Sequence, residues 1–429
     1  MPLSSALYSG VAGLDAISTA ISVAGDNIAN VNTTGFKARR AEFSDILGQT
    51  ITASGGNSQI GAGAQVSRVS QIFSQGTFET TARPTDLAIE GEGFFVLESD
   101  QGRFFTRAGL FGFDAEGTLV NPQGLRVQGF GIDPLTGLSN GTIGDVVVDT
   151  ATSPPRTTTE IGISANLDAG AAEIPAGFDP SDPQGSSNFR TTLNVFDSLG
   201  NERPVTFFFT KTAPGAWDWT ATVPPTDTTD APANPGDSVV VQGNGTLAFD
   251  ANGVLQAVAG ATSFNFEGGA AAGQAVTVDF GPVAGVGAGA PTSQYSAPSA
   301  VNSFNQDGFS AGTLQAISVD ASGLVSGQFS NGSLLPLAQV ALANFPNTEG
   351  LESVGSNNMR STRASGQPLI GEPDSGSFGR VRASALEQSN VDLASEFVRL
   401  IVNQRAFQAN TRTISTTNEL LAALVNLGQ

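Results

Sequence analysis

Few side chains in this sequence have the chemistry needed for catalysis or metal binding. The 429 residues include no cysteine and no histidine, which removes thiol nucleophiles, Cys/His metal sites and every mechanism with histidine as acid or base. Serine is plentiful, but no histidine or Ser-x-x-Lys pair exists to activate it. Carboxylate pairs that hydrolyse glycosides are the remaining enzymatic alternative, yet 39 acidic residues in a chain of net charge −20 are typical of a solvated surface. We predict no enzymatic activity, no cofactor and no metal site.

Three smaller motifs have both a functional and a structural interpretation. The glycine-rich run 285–289 lies between prolines with no helix start behind it, which does not support dinucleotide binding. Trp217 and Trp219 share one strand face and suit core packing better than a carbohydrate-stacking platform. The basic run Lys37–Arg40 is either a solvated loop or a docking point for an acidic neighbour.

Composition indicates the scaffold that positions these residues. Gly and Pro contribute 52 and 22 residues and charged residues only 14%, which is typical of a β-rich, turn-rich protein. The acidic excess disfavours nucleic acid as a partner, because phosphate binding needs a basic face. No run of about 18 apolar residues occurs and residues 1–36 lack the features of a cleaved secretory signal. We therefore expect no membrane insertion.

The middle of the chain has strand patterns. Short apolar runs such as 93–97 and 205–210 are bounded by turn residues and predict strands. An Asp-x-x-Gly signature recurs at 114–117, 250–253 and 320–323, which suits hairpin turns because glycine tolerates positive φ. A calcium loop is the alternative, but the downstream glutamate ligand is missing.

Both chain ends have helical periodicity. Apolar residues near the N-terminus recur at a mean spacing of 3.5, the seam of a coiled coil, at Leu3, Leu7, Val11, Leu14, Ile17, Ile21, Ala24, Ile28 and Val31. The C-terminal series recurs every seven residues at Leu393, Leu400, Phe407, Ile414 and Leu421, joined by Phe397 and Val425. Ser389 with Asp392 forms a capping box that starts this helix, and Gly428 is placed to end it.

The remaining faces of these two helices favour an assembly over an isolated fold. They carry Ser, Thr, Asn, Gly and Gln, which are mediocre helix formers, so each helix alone is marginal in water. The alternative is two amphipathic helices that pack on their own domain's core. We expect the termini to become ordered when copies of the chain assemble.

Four regions are predicted along the chain. The segment 151–295 holds 14 acidic and four basic residues, and its Pro/Thr-rich and Gly/Ala-rich stretches indicate an inserted domain. The predicted regions are a terminal helical domain (1–31 with 390–429), connecting segments (32–71 with 376–389), a discontinuous β domain (72–150 with 296–375) and an inserted β-rich outer domain (151–295).

Four stretches resemble the axial rod and hook proteins of the bacterial flagellum, and most closely the hook proteins. Ser9–Leu14 continuing into Asp26–Lys37 is similar to the family's N-terminal signature, and Asp86–Phe95 to a strand shared by rod and hook proteins. Leu386–Leu393 and Gln404–Asn410 are similar to the start and the interior of the family's last helix.

The resemblance implies a multi-domain, mainly β protein whose terminal coiled-coil helices pair in an inner tube, with the β domains nested outward. It implies a structural subunit of the flagellar hook, self-assembling into a flexible curved tube that transmits motor torque from rod to filament. Implied partners are copies of the chain, the rod, hook-cap and hook–filament junction proteins, and the flagellar type III export apparatus. The implied location is extracellular, in the flagellum, after export without a cleaved signal peptide. The alternatives are a distal rod protein or, more remotely, a secreted β-rich surface-layer or adhesin subunit.

The resemblance also implies assembly determinants at both ends. The N-terminal set is Leu7, Val11, Leu14, Ile21, Asn27, Ile28, Asn30, Asn32, Thr33, Gly35 and Phe36. The C-terminal set is Asn390, Val391, Leu393, Phe397, Leu400, Gln404, Arg405, Phe407, Asn410, Ile414 and Leu421.

Overall fold

The chain is mainly β with one long helix at each end, which confirms the predicted fold class. The helices are α1 (Pro2–Ala29) and α2 (Leu393–Leu427). The computed structural model describes residues 2–53, 56–133, 137–148, 152–284 and 290–427. The glycine-rich run 285–289 and Gly428 lie outside the described residues.

Two compact units make up the chain. Unit 1 comprises residues 1–149, 316–328 and 334–429, and unit 2 comprises residues 150–315 and 329–333.

The first ten strands are β1 (Arg39–Ala53), β2 (Gly56–Gln71), β3 (Phe78–Thr80), β4 (Leu87–Glu90), β5 (Phe94–Ser99), β6 (Gly102–Thr106), β7 (Gly112–Phe113), β8 (Leu119–Val120), β9 (Arg126–Ile132) and β10 (Ser139–Asp145). Unit 2 follows with β11 (Glu160–Asn166), β12 (Phe189–Phe196), β13 (Glu202–Ala213), β14 (Ala216–Val223), β15 (Val240–Phe249), β16 (Leu255–Phe264), β17 (Gln274–Asp279) and β18 (Ala300–Gln306). The last strands are β19 (Leu314–Val319), β20 (Leu324–Phe329), β21 (Leu334–Val340), β22 (Leu342–Asn344), β23 (Glu352–Gly355), β24 (Asn358–Arg360), β25 (Leu369–Gly371), β26 (Arg380–Ala383) and β27 (Ala385–Glu387), with a 3₁₀ turn at Thr348–Gly350.

A long hairpin follows α1, where the sequence analysis had placed a connecting segment. Strands β1 and β2 pair antiparallel from Arg39 opposite Gln71 to Ala53 opposite Gly56. The hairpin lies along α1 closely enough that a Cβ on Gly63 would come within 3.2 Å of the Ser9 Cα atom. Neither strand has a regular alternation of apolar and polar residues, and β2 is rich in glycine and serine. The hydrophobic periodicity of the sequence therefore did not predict these two strands.

The main sheet of unit 1 runs in the order β19-β20-β21-β9-β5-β6-β24-β23, and five further strands join it through β9 and β5: β10 and β8 pair with β9, β22 pairs with β5, β7 pairs with β8 and β25 pairs with β22. Phe94 and Phe105 from neighbouring strands bury their rings against Phe345, edge to face in both pairs. Such aromatic contacts add to the burial of apolar area. This cluster gives unit 1 a rigid β core.

An eight-stranded sheet forms unit 2, in the order β12-β13-β14-β15-β16-β17-β11-β18. Its core contains Phe207, Phe209 and both tryptophans, which are no more than 2% exposed. The preferred prediction of core packing is confirmed for Trp217 and Trp219, because neither ring is available to stack on a ligand.

The recurrent Asp-x-x-Gly segments are tight turns. In the first, the Gly117 N–H donates to the Asp114 carbonyl at 3.2 Å and the Thr118 N–H to the Asp114 carboxylate at 2.7 Å. Gly117, Gly253 and Gly323 all have φ between +73° and +78°. The aspartates accept backbone hydrogen bonds, as the hairpin interpretation requires.

The unit boundary differs from the predicted one at its C-terminal side. Residues 296–315 were assigned to the flanking β domain, whereas they lie in unit 2. The reason is that β18 pairs antiparallel with β11 along its length, from Gln306 opposite Ile161 to Ala300 opposite Asn166. A shift in amino-acid composition marks the position of a loop, but it does not show which strand the following strand pairs with.

By length and composition, Ala6–Ala29 is apolar enough to cross a membrane, with a mean hydropathy of 1.3. The expectation that no segment could span a membrane rested on the lack of an unbroken run of about 18 apolar residues, and by mean hydropathy that expectation is wrong. Small and weakly polar residues keep the mean hydropathy of this helix high, although they do not form an unbroken apolar run. In the structure this helix packs against α2 and the hairpin.

Candidate assembly site at the chain ends

Helices α1 and α2 pair with each other within a single chain. A Cβ on Gly10 would lie 3.0 Å from the Ile414 side chain, and one on Gly13 would lie 2.8 Å from the Asn410 amide nitrogen. Because the first contact is earlier on α1 and later on α2, the helices run antiparallel. The glycines allow this close approach. Pairing was expected in an assembly, but one chain already supplies both partners.

The most buried face of α1 overlaps the predicted seam only at Ala24. Ala16, Ala20 and Ala24 are 2 to 7% exposed and repeat every four residues along one side of the helix. The larger apolar members of the predicted seam lie about a quarter turn away. Among them, Leu7, Leu14, Ile21 and Ile28 are half-buried and Val11 is 50% exposed. Small side chains therefore meet the rest of this chain, and the larger apolar side chains remain partly uncovered.

Polar residues dominate the protected face of α2. Glu396 and Thr417 are buried, and Asn403 and Asn410 between them are half-buried, so this face also repeats every seven residues. The predicted apolar series lies beside this face, and its members differ in burial. Leu400, Ile414 and Leu421 are half-buried, whereas Leu393 and Phe407 are each 39% exposed.

An apolar surface on the first turns of α2 is left exposed in the lone chain, and its members Val398 and Val402 line a groove shared with Ala24 of α1. We call this surface the α2 patch, and it comprises Leu393, Phe397, Val398, Ile401 and Val402. The last four are 49 to 61% exposed. Burial of such side chains is worth about 1.5–3 kcal/mol each, so their exposure leaves a large stabilisation unused in the lone chain.

The two helices leave the β part of unit 1 at a buried ionic contact, which we call the junction (residues 35–39, 72–76 and 385–390). The Lys37 Nζ atom lies 2.6 Å from the Glu387 Oε1 atom, and both side chains are completely buried. The Lys37 ammonium also donates to the Ser74 carbonyl at 2.8 Å, and the Gly76 N–H donates to Glu387 Oε1 at 2.9 Å. Burial lowers the pKa of Lys37, while the Glu387 carboxylate acts in the opposite direction. Because Lys37 is buried, neither the solvated-loop nor the docking interpretation holds for it.

Two asparagine side chains complete the junction by replacing backbone partners. The Asn390 amide donates to the Ile72 carbonyl at 2.8 Å and accepts from the Ala38 N–H at 2.7 Å. Asn27, at the end of α1, donates to the Arg39 carbonyl and accepts from its N–H, at 2.8 and 2.9 Å. A side-chain amide can satisfy both a donor and an acceptor of a chain that has left its helix or strand.

The loop between α1 and the junction needs a glycine. Gly35 has φ +68°, and a Cβ there would lie 2.6 Å from the Ala108 nitrogen. The Thr33 hydroxyl donates to the Asn30 side chain, whose own amide donates to the Asp26 carbonyl. The remaining predicted site residues are buried (Phe36), half-buried (Val391) and exposed (Asn32, Gln404 and Arg405).

Among the described residues no group of three or more metal-ligating side chains could hold a metal ion. The site is instead a mechanical one: a stiff buried junction from which two paired helices emerge, with one apolar surface uncovered. Gly35 and Asn390 belong to the junction and Asn27 is hydrogen-bonded to it at Arg39, whereas four other predicted residues are on exposed helix faces: Val11, Leu393, Phe397 and Phe407.

Family models match most of the chain. They are the flagella basal body rod protein (residues 7–37), the flagellar hook protein FlgE/F/G D1 domain (88–166), the flagellar basal body protein FlaE D2 domain (166–309) and the flagellar basal body rod FlgEFG protein C-terminal region (382–427). These matches, with the paired terminal helices, define an axial protein of the bacterial flagellum.

Full-length relatives narrow this class. The flagellar hook protein FlgE of Escherichia coli is 35% identical, with 97% of this chain and 98% of that protein covered. FlgE of Salmonella typhimurium is 33% identical over the same shares, and FlgE of Rhizobium meliloti 34% over the whole of both chains. A crystal structure of Helicobacter pylori flagellar hook protein FlgE2 shares the fold, with a TM-score of 0.52 and 16% identity, covering 72% of this chain and all of that one.

The chain belongs to the flagellar hook protein family. It is a structural subunit of the hook, and the distal rod alternative is not favoured. The predicted class is thereby confirmed.

Proposed function

We propose that this hook subunit polymerises with copies of itself into a flexible curved tube, with its terminal helices on the inner wall. The exposed α2 patch is the observation that supports this. Contiguous exposed apolar surfaces mark interaction sites, and the largely uncharged remainder of both helices can be buried without desolvating charge. The tube acts as a universal joint that transmits motor torque from rod to filament.

Polymerisation of this kind requires two different surfaces on one chain. A head-to-tail contact that does not close gives a helical filament, whereas a self-complementary contact gives a dimer. The α2 patch supplies one surface. The partly uncovered seam of α1, in which Val11 is 50% exposed, supplies the second, together with the neighbouring Tyr8, which is 74% exposed. In this proposal the exposed members of the two residue sets contact copies, and the junction members orient the helices.

Further partners and the location belong to the same proposal. The subunit contacts rod, hook-cap and hook–filament junction proteins and is exported by the flagellar type III apparatus without a cleaved signal peptide. It functions outside the cell, without catalysis and without membrane insertion. Membership of the hook family supports these assignments, since hook proteins share one place in the flagellum.

The test removes the α2 patch without touching the junction. Phe397→Ser combined with Ile401→Ser deletes two large apolar side chains that are about half exposed. We expect the monomer to fold normally and the concentration needed for polymerisation to rise by roughly a hundredfold or more, because about 3 kcal/mol or more of burial is lost per contact. Sedimentation and negative-stain microscopy give the readout.

The matched control is Leu369→Ser on β25, which is also an exposed leucine of unit 1 (61%) but lies outside the helices. It is expected to polymerise as the unmodified chain does. Normal tubes from the double variant would refute the proposal.

A further inference from the structure

Four asparagines in this chain precede a glycine: Asn140, Asn244, Asn252 and Asn331. A glycine in the second position leaves its backbone nitrogen unhindered, so that nitrogen can attack the asparagine side chain. The four sites differ in structure. We propose that Asn140 is a site of self-catalysed deamidation, and that its surroundings accelerate the reaction.

Asn140 lies in a bulge of β10. Ser139 pairs with Ile132 and Ile143 pairs with Phe130, so three residues on β10 stand opposite a single residue of β9. Asn140 is exposed, and Gly141 has φ +69° with open space where a Cβ would be. Solvent therefore reaches the reacting atoms, and the chain there is free of ladder pairing.

Two donors converge on the carbonyl oxygen that must accept negative charge. The Thr142 N–H donates to the Asn140 Oδ1 atom at 3.0 Å and the Thr142 hydroxyl donates to it at 2.7 Å. The Gly141 N–H donates to the Ser139 hydroxyl at 3.2 Å. This is the arrangement of a small oxyanion hole beside a nucleophile that is adjacent in the chain.

The reaction consumes only water. Hydroxide removes the Gly141 amide proton, and the nitrogen then forms a bond to the Asn140 Cγ atom while Oδ1 takes up negative charge. Collapse of this intermediate breaks the bond from Cγ to Nδ2, and ammonia leaves with a proton from water, which restores the hydroxide. Water opens the resulting succinimide at either carbonyl to give aspartate or isoaspartate.

The other three sites lack part of this arrangement. Asn244 is held in the middle of unit 2's sheet, paired with Thr220 on one side and Ala261 on the other. Asn331 receives similar donors from Ser333, but its leaving amide donates to the Ser310 carbonyl at 2.7 Å.

Asn252 is exposed in a turn. Within the described part of the chain no donor reaches its Oδ1 atom. It therefore provides a comparison site without the donors that Thr142 supplies, although its side chain also hydrogen-bonds to Asp250.

The product changes the surface and not the fold. Each event converts a neutral amide to a carboxylate and moves the formal net charge from −20 to −21. The extra backbone methylene of an isoaspartate falls within the bulge, so the flanking strand pairs are retained.

The experiment follows the folded chain during incubation at mildly alkaline pH. Peptide mapping by mass spectrometry quantifies the mass gain and the isoaspartate at all four sites of the same molecule. We expect Asn140 to react fastest, and Thr142→Val to slow it by roughly three- to tenfold, the effect of one hydrogen bond. Thr142→Ser restores the rate.

A rate at Asn140 no greater than that at Asn252 would overturn the proposal. So would an unchanged rate in Thr142→Val. The ranking within the unmodified chain decides the question even if the valine variant folds poorly.

Discussion

Replacing Glu387 with glutamine tests whether the buried junction holds the helices on the β part of unit 1. Glutamine keeps the shape and one acceptor for the Gly76 N–H, but it leaves the Lys37 ammonium buried without a counter-charge. Breaking a buried pair by neutralising one partner costs about 3–5 kcal/mol. That is a large fraction of the stability of an ordinary domain.

Two further variants separate the buried charge from a general defect. Glu352→Gln removes the counter-charge of an exposed pair with Arg360, in which both side chains are more than 50% exposed, and is expected to cost less than about 1 kcal/mol. Lys37→Met combined with Glu387→Leu removes the Lys37 ammonium together with its counter-charge and is expected to recover the part of the loss that Lys37 causes, while Arg107, whose guanidinium lies 3.7 Å from Glu387 Oε2, still loses its partner.

The chain provides separate signals for its two units. Both of its tryptophans, Trp217 and Trp219, lie in unit 2, so their fluorescence reports the unfolding of that unit. The helical band of the far-ultraviolet circular dichroism spectrum reports the unfolding of α1 and α2. In denaturant titrations of Glu387→Gln, the helical transition is expected to move to lower denaturant while the fluorescence transition stays unchanged. Equal effects of Glu387→Gln and Glu352→Gln would refute the reasoning, as would a double variant no better than the single one.

Three other perturbations follow from the helix pair and the hairpin. Gly13→Leu places a side chain where the Asn410 amide lies and is expected to separate the helices, which crosslinking between cysteines introduced on the two helices would detect as a loss of yield. Hydrogen bonds from Arg68 and, to a lesser extent, Ser70 lower the pKa of Glu42 from 4.5 to about 2. The Glu42 carboxylate therefore stabilises the hairpin above pH 4.5, and this contribution is lost as the pH falls towards 2. We expect faster hydrogen exchange in β1 over this pH range, and an unchanged exchange rate would contradict the prediction. Asp392→Ala removes the acceptor that caps the start of α2 and is expected to speed exchange in its first turn, with no change in the second half of the helix as the internal control.

Much of the fold was predictable because it rests on local patterns. Hydrophobic spacing located both terminal helices, and the Asp-x-x-Gly signature located tight turns. The burial of Lys37 was not predictable, because its partner Glu387 lies 350 positions away and nothing local marks either residue. Ala16 and Ala20 on the buried face of α1 were missed for a different reason: large apolar residues dominate a periodicity analysis, whereas helices approach most closely where side chains are small.

The polar residues of the junction are buried inside one chain, and this is compatible with a role in assembly because a residue can orient an interface that it does not itself contact. Glu387 and Asn390 are fixed by hydrogen bonds to segments 72–76 and 37–38, and α2 begins at Leu393, three residues further on. Three residues span about 10 Å at most, so the direction of the first turns of α2 is set by the junction. Those turns carry the α2 patch. If the α2 patch is the interface we propose, a change at the junction re-aims an interface that it does not contact, and in a tube built from identical contacts the same angular error recurs at every subunit.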